Sequence, residues 1–118
     1  TRGHAVRSIL EAVSCMLKSN LEYMGIDCDE IRSMGGGAQS PLWCQIKADM
    51  TGKNIAILEN NETACLGSAI LAGVGIGIYD DVKSVCRKLV KIKKVYEPSG
   101  EDYTECYNNF LEAEAKIV

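Results

Sequence analysis

The stretch from Ser33 to Trp43, SMGGGAQSPLW, places three consecutive glycines between an apolar segment and a helix start. Glycine loses more backbone entropy on ordering than any other residue, so such a run suggests that the backbone itself is needed there. Ser40 followed by Pro41 predicts a helix start, because serine caps free N–H groups and proline has its φ preset. A glycine-rich turn before a capped helix can bring bare backbone against a phosphate or ribose. A tight turn without a ligand is the simpler interpretation of the spacing alone, and both interpretations stay open.

The segments around this stretch alternate between helical and extended patterns. Apolar residues at helical spacing predict a long helix from Val6 to Met24, which Gly25 ends. The run from Ile31 to Met34 is too short for a helix and predicts a buried strand, and the run from Asn54 to Leu58 predicts a second strand. Such alternation favours parallel strands that are joined by crossover helices.

More helices are predicted on the C-terminal side. A helix capped by Asn60 or Asn61 is rich in small residues, which predict a close approach to a neighbouring helix or strand. Another helix runs from about Asp81 to Val90, and a polar connection with room for a short strand follows it. A last helix carries Tyr103, Tyr107, Phe110 and Leu111.

Length and charge exclude several classes of protein. The 118 residues fit one domain without an internal boundary. The net charge of -3, with scattered Lys and Arg, argues against a nucleic-acid partner. No apolar run approaches the roughly 20 residues that span a bilayer, so no membrane partner is expected. The first residues lack the order of regions in a signal peptide, and a cytoplasmic location is therefore expected.

The six cysteines do not form a metal or redox motif. No two of them are closer than 13 positions, whereas zinc ribbons and thioredoxin-like sites need Cys-x-x-Cys pairs. Several lie at apolar positions of helical patterns, where cysteine behaves as a small hydrophobe. Free buried thiols are therefore favoured over three disulfides.

Two longer motifs carry a resemblance to a known family. MGGGAQSPLWCQIKADMTGKNI, followed by ETACLGSAILAGVGIGIYDDV, resembles the C-terminal domain of the FGGY carbohydrate kinases, most closely the xylulose-kinase branch. The opening HAVRSILEAV is similar to the second half of that family's C-terminal signature, with Ala5 in place of a larger aliphatic residue. The matching positions are Gly35, Gly36, Gly37, Ala38, Ser40, Trp43, Gln45, Ala48, Asp49, Leu66, Gly67, Ala69, Leu71, Ala72 and Gly73.

The resemblance implies an α/β fold that is part of an actin-like ATPase (RNase H-like) domain, with mostly helices around a small sheet. Residues 1–118 would form the C-terminal portion of the nucleotide-binding domain. The implied reaction is phosphoryl transfer from ATP, with Mg²⁺, to a hydroxyl of xylulose or a related sugar. The sugar site, the first phosphate loop and the aspartate base would lie in a preceding N-terminal part, so this chain carries no catalytic residue. The rival function is a non-catalytic nucleotide-binding or scaffold module, and a homo-oligomer is expected if sheet edges are uncovered.

The resemblance also indicates site residues. It implies that the backbone of Gly36 and Gly37 meets the nucleotide near its ribose and α-phosphate, and that Gln39 and Ser40 line the same helix entrance. Ser40 is at least as well explained by its role as a helix cap. No metal ligand is expected in the chain.

Three other polar or aromatic positions have two explanations each. Trp43 is favoured as a core residue over a stacking platform. Gln45 and Asp49 either hydrogen-bond the glycine stretch or form a solvated face. His4, the single histidine, is expected on the surface.

Overall fold

The computed structural model describes residues 1–117 as helices around one small sheet, which confirms the α/β class. None of the helices in this range combines the length and apolarity that crossing a bilayer requires. The helices are α1 (Arg2–Tyr23), α2 (Pro41–Thr51), α3 (Thr63–Gly75), α4 (Val82–Leu89) and α5 (Thr104–Ile117). The strands are β1 (Glu30–Ser33), β2 (Asn54–Leu58) and β3 (Ile92–Tyr96).

The sheet has the order β1-β2-β3, and its two halves differ in direction. β1 and β2 are parallel, as predicted, with Ile31 opposite Ile55, and α2 connects them. β3 pairs with the other side of β2 in the antiparallel direction. From Ile55 to Leu58 the middle strand is buried, whereas β3 is an exposed edge strand that carries Lys93 and Lys94. Charged side chains on an edge strand discourage pairing with another chain.

Most helix ends follow the predicted signals. Ser40 caps α2 by accepting a hydrogen bond from the Trp43 N–H at 3.3 Å, and Pro41 is the first helical residue. Gly52 ends α2 in the left-handed region at φ 66°, a conformation that costs glycine little. Asp81 caps α4, and the bonds from Ser84 hold the pKa of its carboxyl below the ordinary value.

The predicted cap of α3 is wrong. The helix begins at Thr63, and its N-cap position is Glu62, which makes no side-chain capping bond. Asn60 instead accepts a hydrogen bond from the Glu62 N–H at 2.9 Å, which closes an Asx turn just before the helix. The asparagine side chain was therefore used by the turn and not by the helix.

The small residues of α3 do not produce the predicted close packing within residues 1–117. Ala64, Ser68, Ala69 and Ala72 are exposed, and α3 packs chiefly against α4. One tight contact exists at Gly73, where an added methyl group would lie 2.6 Å from the Tyr79 ring.

Helix α2 joins two hydrophobic cores. Ile46 and Met50 pack with residues of α1 and α5, whereas Cys44 and Ala48 pack with the sheet. The first core contains Cys15, Ile46, Met50, Tyr103 and Tyr107. The second contains Ala38, Cys44, Ala48, Ile55 and Ile57.

All six cysteines are free, which confirms the prediction against disulfides. Cys15 and Cys44 are buried, whereas Cys65 is exposed, so the prediction of buried thiols holds for only some of the cysteines. In the first core Cys15 Sγ lies 3.9 Å from Cys106 Sγ. Burial, together with the neighbouring Cys106, raises the pKa of Cys15 to about 12, so this thiol stays protonated at neutral pH.

Two tyrosines fasten the C-terminal helix to α1. Tyr107 donates a hydrogen bond to the Glu22 carboxylate at 2.6 Å, and Arg7 donates one to the Tyr103 hydroxyl at 2.8 Å. Burial, followed by the bond to Glu22, raises the pKa of Tyr107 to about 12. These contacts hold together two helices that are about 90 residues apart in sequence.

We expect Tyr107→Phe to lower the free energy of unfolding of the chain by about 1 kcal/mol at pH 7, because one partly buried hydrogen bond to a carboxylate is lost. Because the pKa of Tyr107 is higher in the folded chain than in the unfolded chain, this stabilisation is fully present below pH 10. It is lost progressively as the pH rises toward 12. The difference between wild type and variant should therefore shrink between pH 10 and pH 12 in urea unfolding. Tyr23→Phe is the matched control, since Tyr23 is 94% exposed. An equal difference at pH 7 and pH 11 would contradict the assignment.

We also expect the isolated chain to self-associate at roughly tens of micromolar concentration. The α1 surface exposes Val6 and Ile9 by 57% and 63%, and one edge of β1 is unpaired within residues 1–117. The radius of gyration is 17.2 Å, against roughly 13.5 Å for a compact domain of this length. Size exclusion with light scattering tests this, and Ile9→Glu should reduce association more than the control Ser8→Glu. A clean monomer with a cooperative melt would contradict the prediction.

Candidate functional site

The glycine turn, residues 35–39, lies where β1 ends and α2 begins. Residues Gly36–Gln39 form one short 3₁₀ turn, and Ser40 then caps α2. Because β1 and β2 are parallel, their carboxyl ends lie at the same edge of the sheet, which is where ligands bind in open α/β sheets. The start of α2 adds the partial positive charge of a helix N-terminus to this edge.

The three glycines of the turn have different structural surroundings. Gly35 has φ 78°, a left-handed conformation that side chains rarely adopt. Gly37 faces the Trp43 ring, and an added methyl group would lie 2.7 Å from its Cζ3 atom. Gly36 is exposed, its φ is outside the left-handed region, and an added methyl group would meet no atom within 4 Å. Backbone conformation explains the first glycine and packing explains the third, but neither explains Gly36.

Gln39 and Ser40 follow the glycines at the helix entrance, as predicted. Gln39 is exposed and lines a cavity of about 350 Å³, the Gln39 cavity, which Asn61, Lys93 and Lys94 also line. The Ser40 oxygen is engaged as the cap of α2, which confirms its structural role. Its hydroxyl proton can still be donated, since capping uses the oxygen as acceptor.

A second cavity of about 410 Å³ lies beside the turn and is lined by Gly37, Trp43 and Lys47. The Lys47 ammonium lies 4.4 Å from the centroid of the Trp43 ring and 3.4 Å from Ser33 Oγ. Burial lowers the pKa of Lys47, because the charged form loses water. The Trp43 Nε1 atom is buried and has no partner in the part of the chain that the structure describes. Trp43 is half-buried and belongs to neither hydrophobic core, so the core role that was favoured is wrong, and its ring instead packs against Gly37 at the edge of this cavity.

Both predictions for Gln45 and Asp49 are wrong. Gln45 Nε2 donates to Asp49 and, at 2.8 Å, to the Glu97 carbonyl, and the Ser99 N–H donates to Asp49. The two side chains therefore fix the segment between β3 and α5, not the glycine turn, and they are not simply solvated. Sequence spacing shows their contact with each other but not their partners some 50 residues later.

No metal centre is formed by side chains in the described range. Within residues 1–117 no three His, Cys, Asp or Glu side chains lie close enough together to hold a metal ion. His4 is exposed at the start of α1, far in sequence from the turn.

Sequence reasoning overlooked Cys44 as a support of the turn. Its Sγ atom lies 3.4 Å from the Ala38 carbonyl and 3.8 Å from the Gly37 carbonyl, and the residue is fully buried. Lys47 was also overlooked, although its position four residues after Trp43 places both on one side of α2.

Comparison with known proteins gives one consistent result. Residues 1–76 match the FGGY family of carbohydrate kinases, C-terminal domain. The xylulose kinase of Staphylococcus epidermidis is 32% identical over 118 residues, which cover 96% of this chain and 24% of that protein. The autoinducer-2 kinase of Yersinia enterocolitica is 36% identical over 88 residues, which cover 75% of this chain and 17% of that protein.

A solved structure shows the same fold. The crystal structure of Plasmodium falciparum glycerol kinase with ADP superposes with a TM-score of 0.76 at 25% identity, over 98% of this chain and 24% of that one. The fold is that of the actin-like ATPases. The chain spans about a quarter of the length of the xylulose kinase that it matches. With more than half of its residues matched by the family model, the chain belongs to the FGGY family of carbohydrate kinases.

Proposed function

We propose that residues 1–118 are the C-terminal portion of the nucleotide-binding domain of a carbohydrate kinase, and that the glycine turn contributes part of its ATP site. The whole protein would transfer the γ-phosphoryl group of ATP to a hydroxyl of xylulose or a related sugar. Membership of the family and the likeness to a glycerol kinase that holds ADP support this proposal. The autoinducer-2 kinases among the relatives leave the acceptor open to other polyols and sugars.

The observation that carries the proposal is the open space at Gly36. Its backbone is exposed, and no atom within residues 1–117 apart from its chain neighbours lies within 4 Å of the position that a Cβ would take, so a ligand can contact the peptide group directly. Because Gly35 and Gly37 are required by backbone and packing, Gly36 is the glycine whose missing side chain is best explained by a ligand. A nucleotide suits this place, since the neighbouring helix start favours negative charge.

We expect the other contacts with the nucleotide at the same edge of the sheet. We expect the backbone of Gly37 to follow that of Gly36 along the ribose and α-phosphate, with Gln39 and the Ser40 hydroxyl at the helix entrance. Lys93 and Lys94, which line the Gln39 cavity, add positive charge on the same side. Mg²⁺ would be held mainly by the ATP phosphates and by water, as is usual for this ion in nucleotide sites.

Gly36→Val in the full-length kinase should weaken ATP binding by about 1–3 kcal/mol, the scale of steric strain at such sites. Sugar affinity and Tm should stay nearly unchanged, because no atom within residues 1–117 apart from its chain neighbours lies within 4 Å of an added Cβ at this position. Calorimetric titration with ATP and with sugar measures both affinities. Gly35→Ala is the comparison variant: its strained backbone should lower Tm and ATP affinity together. Equal losses of stability and ATP affinity for Gly36→Val would favour a tight turn without a ligand.

The isolated 118-residue chain should show no sugar kinase activity. In-line phosphoryl transfer depends on groups positioned on both sides of the nucleotide, and one part of the site cannot supply them. A coupled assay with xylulose, gluconate and glycerol should stay at background. ATP- and metal-dependent turnover that is intrinsic to the chain would contradict the proposal, and full-length protein that binds ATP without turning over any sugar would favour the scaffold function.

A further inference from the structure

We propose that Trp43 and Cys44 are positioning residues that hold the glycine turn in the shape that a nucleotide meets, with Lys47 fixing the Trp43 ring. This inference rests on the proposed function of the turn. In this inference residue 37 is glycine because the Trp43 ring packs against it. Gly36 is then the glycine that faces the ligand.

The Trp43 ring lies directly against Gly37. An added methyl group at Gly37 would lie 2.7 Å from Cζ3, 3.1 Å from Cε3 and 3.3 Å from Cη2. Three atoms of a rigid ring at such distances leave no room for a side chain, since packed rings cannot bend away as a flexible chain end can. The turn and the ring therefore fit each other only when residue 37 is glycine.

The ring itself is held in place by its neighbours along α2. The Trp43 N–H donates to Ser40 Oγ, so the cap fixes the backbone that carries the ring. The Lys47 ammonium covers the ring at 4.4 Å and also reaches Ser33 Oγ at the end of β1. The buried Nε1 atom has no partner within residues 1–117, and the ring atoms nearest to Gly37 are carbons of the six-membered ring.

The Cys44 thiol contacts the backbone carbonyl groups of the turn. The thiol lies 3.4 Å from the Ala38 oxygen and 3.8 Å from the Gly37 oxygen, and both Cys44 and Ala38 are buried in the second core. Burial raises the pKa of Cys44, so the sulfur remains a protonated donor at neutral pH. Trp43 and Cys44 are consecutive in α2. Trp43 contacts the turn at Gly37, and Cys44 contacts the carbonyl groups of the turn.

A double-mutant cycle in the full-length kinase tests the Trp43 contact. Gly37→Ala alone should raise the KM for ATP about tenfold, whereas in a Trp43→Leu background it should raise that KM less than about twofold, because contacting residues are strongly coupled. The KM for sugar should not change in any of the variants. Trp43→Phe should give a coupling between wild type and Trp43→Leu, since a phenyl ring lacks the Cζ3 and Cη2 atoms that lie close to residue 37.

Two results would overturn the inference. If Gly37→Ala is equally harmful in both backgrounds, the ring is not the reason for the glycine. If Trp43→Leu raises the KM for ATP and for sugar alike, in step with a lower Tm, the tryptophan is only a stabilising residue. Failure of the nucleotide proposal gives a different result. In that case Gly36→Val would leave ATP affinity unchanged, and the coupling between positions 37 and 43 would still be measured in Tm.

Cys44 provides a second measurement that does not depend on the tolerance of Trp43 to substitution. Cys44→Ser keeps a donor of similar size and should retain the KM for ATP within about twofold, whereas Cys44→Ala should raise it several-fold, because it leaves the buried Ala38 carbonyl without its donor. Equal KM values for the serine and alanine variants would show that the thiol does not position the turn.

Discussion

Burial of α2 on two opposite sides is the constraint that determines where the glycine turn lies. Cys44 and Ala48 face the sheet, and Ile46 and Met50, half a turn away, face α1 and α5. Ala38, in the middle of the turn, belongs to the same core as Cys44. The turn therefore cannot shift without opening a packed core, and a ligand that meets it has little loop entropy to remove.

The exposed surface carries apolar side chains on both the sheet and the helices. β3 is an antiparallel edge strand that exposes Ile92 and Val95 beside its lysines, and the charged side chains discourage pairing with another strand. Helix α1 exposes Val6 and Ile9, and α3 exposes Leu71. The lysines of β3 therefore offset the apolar residues on the same strand, whereas the exposed residues of α1 and α3 are candidates for contact with further protein.

Local signals could be predicted from the sequence, and distant contacts could not. Ser40, Pro41 and Gly52 gave the bounds of α2 because each acts through its own backbone geometry. The cap of α3 was misassigned because the Asn60 side chain accepts from the Glu62 N–H in a turn that precedes the helix. Gln45 and Asp49 were misassigned because their partners near Glu97 and Ser99 are set by the packing of β3, which no spacing within α2 reports.

The three consecutive glycines of the turn have three different structural surroundings. One glycine is required by a left-handed backbone, one by an aromatic ring, and one by nothing within the described chain. Loss of function after a change at Gly35 or Gly37 would follow from strain or from a clash in any protein with this turn, whether or not it binds a nucleotide. Gly36 separates the two possibilities, because neither the backbone nor a side chain within residues 1–117 requires glycine at that position. The family resemblance identifies the motif, and the packing identifies which of its glycines can report on the ligand.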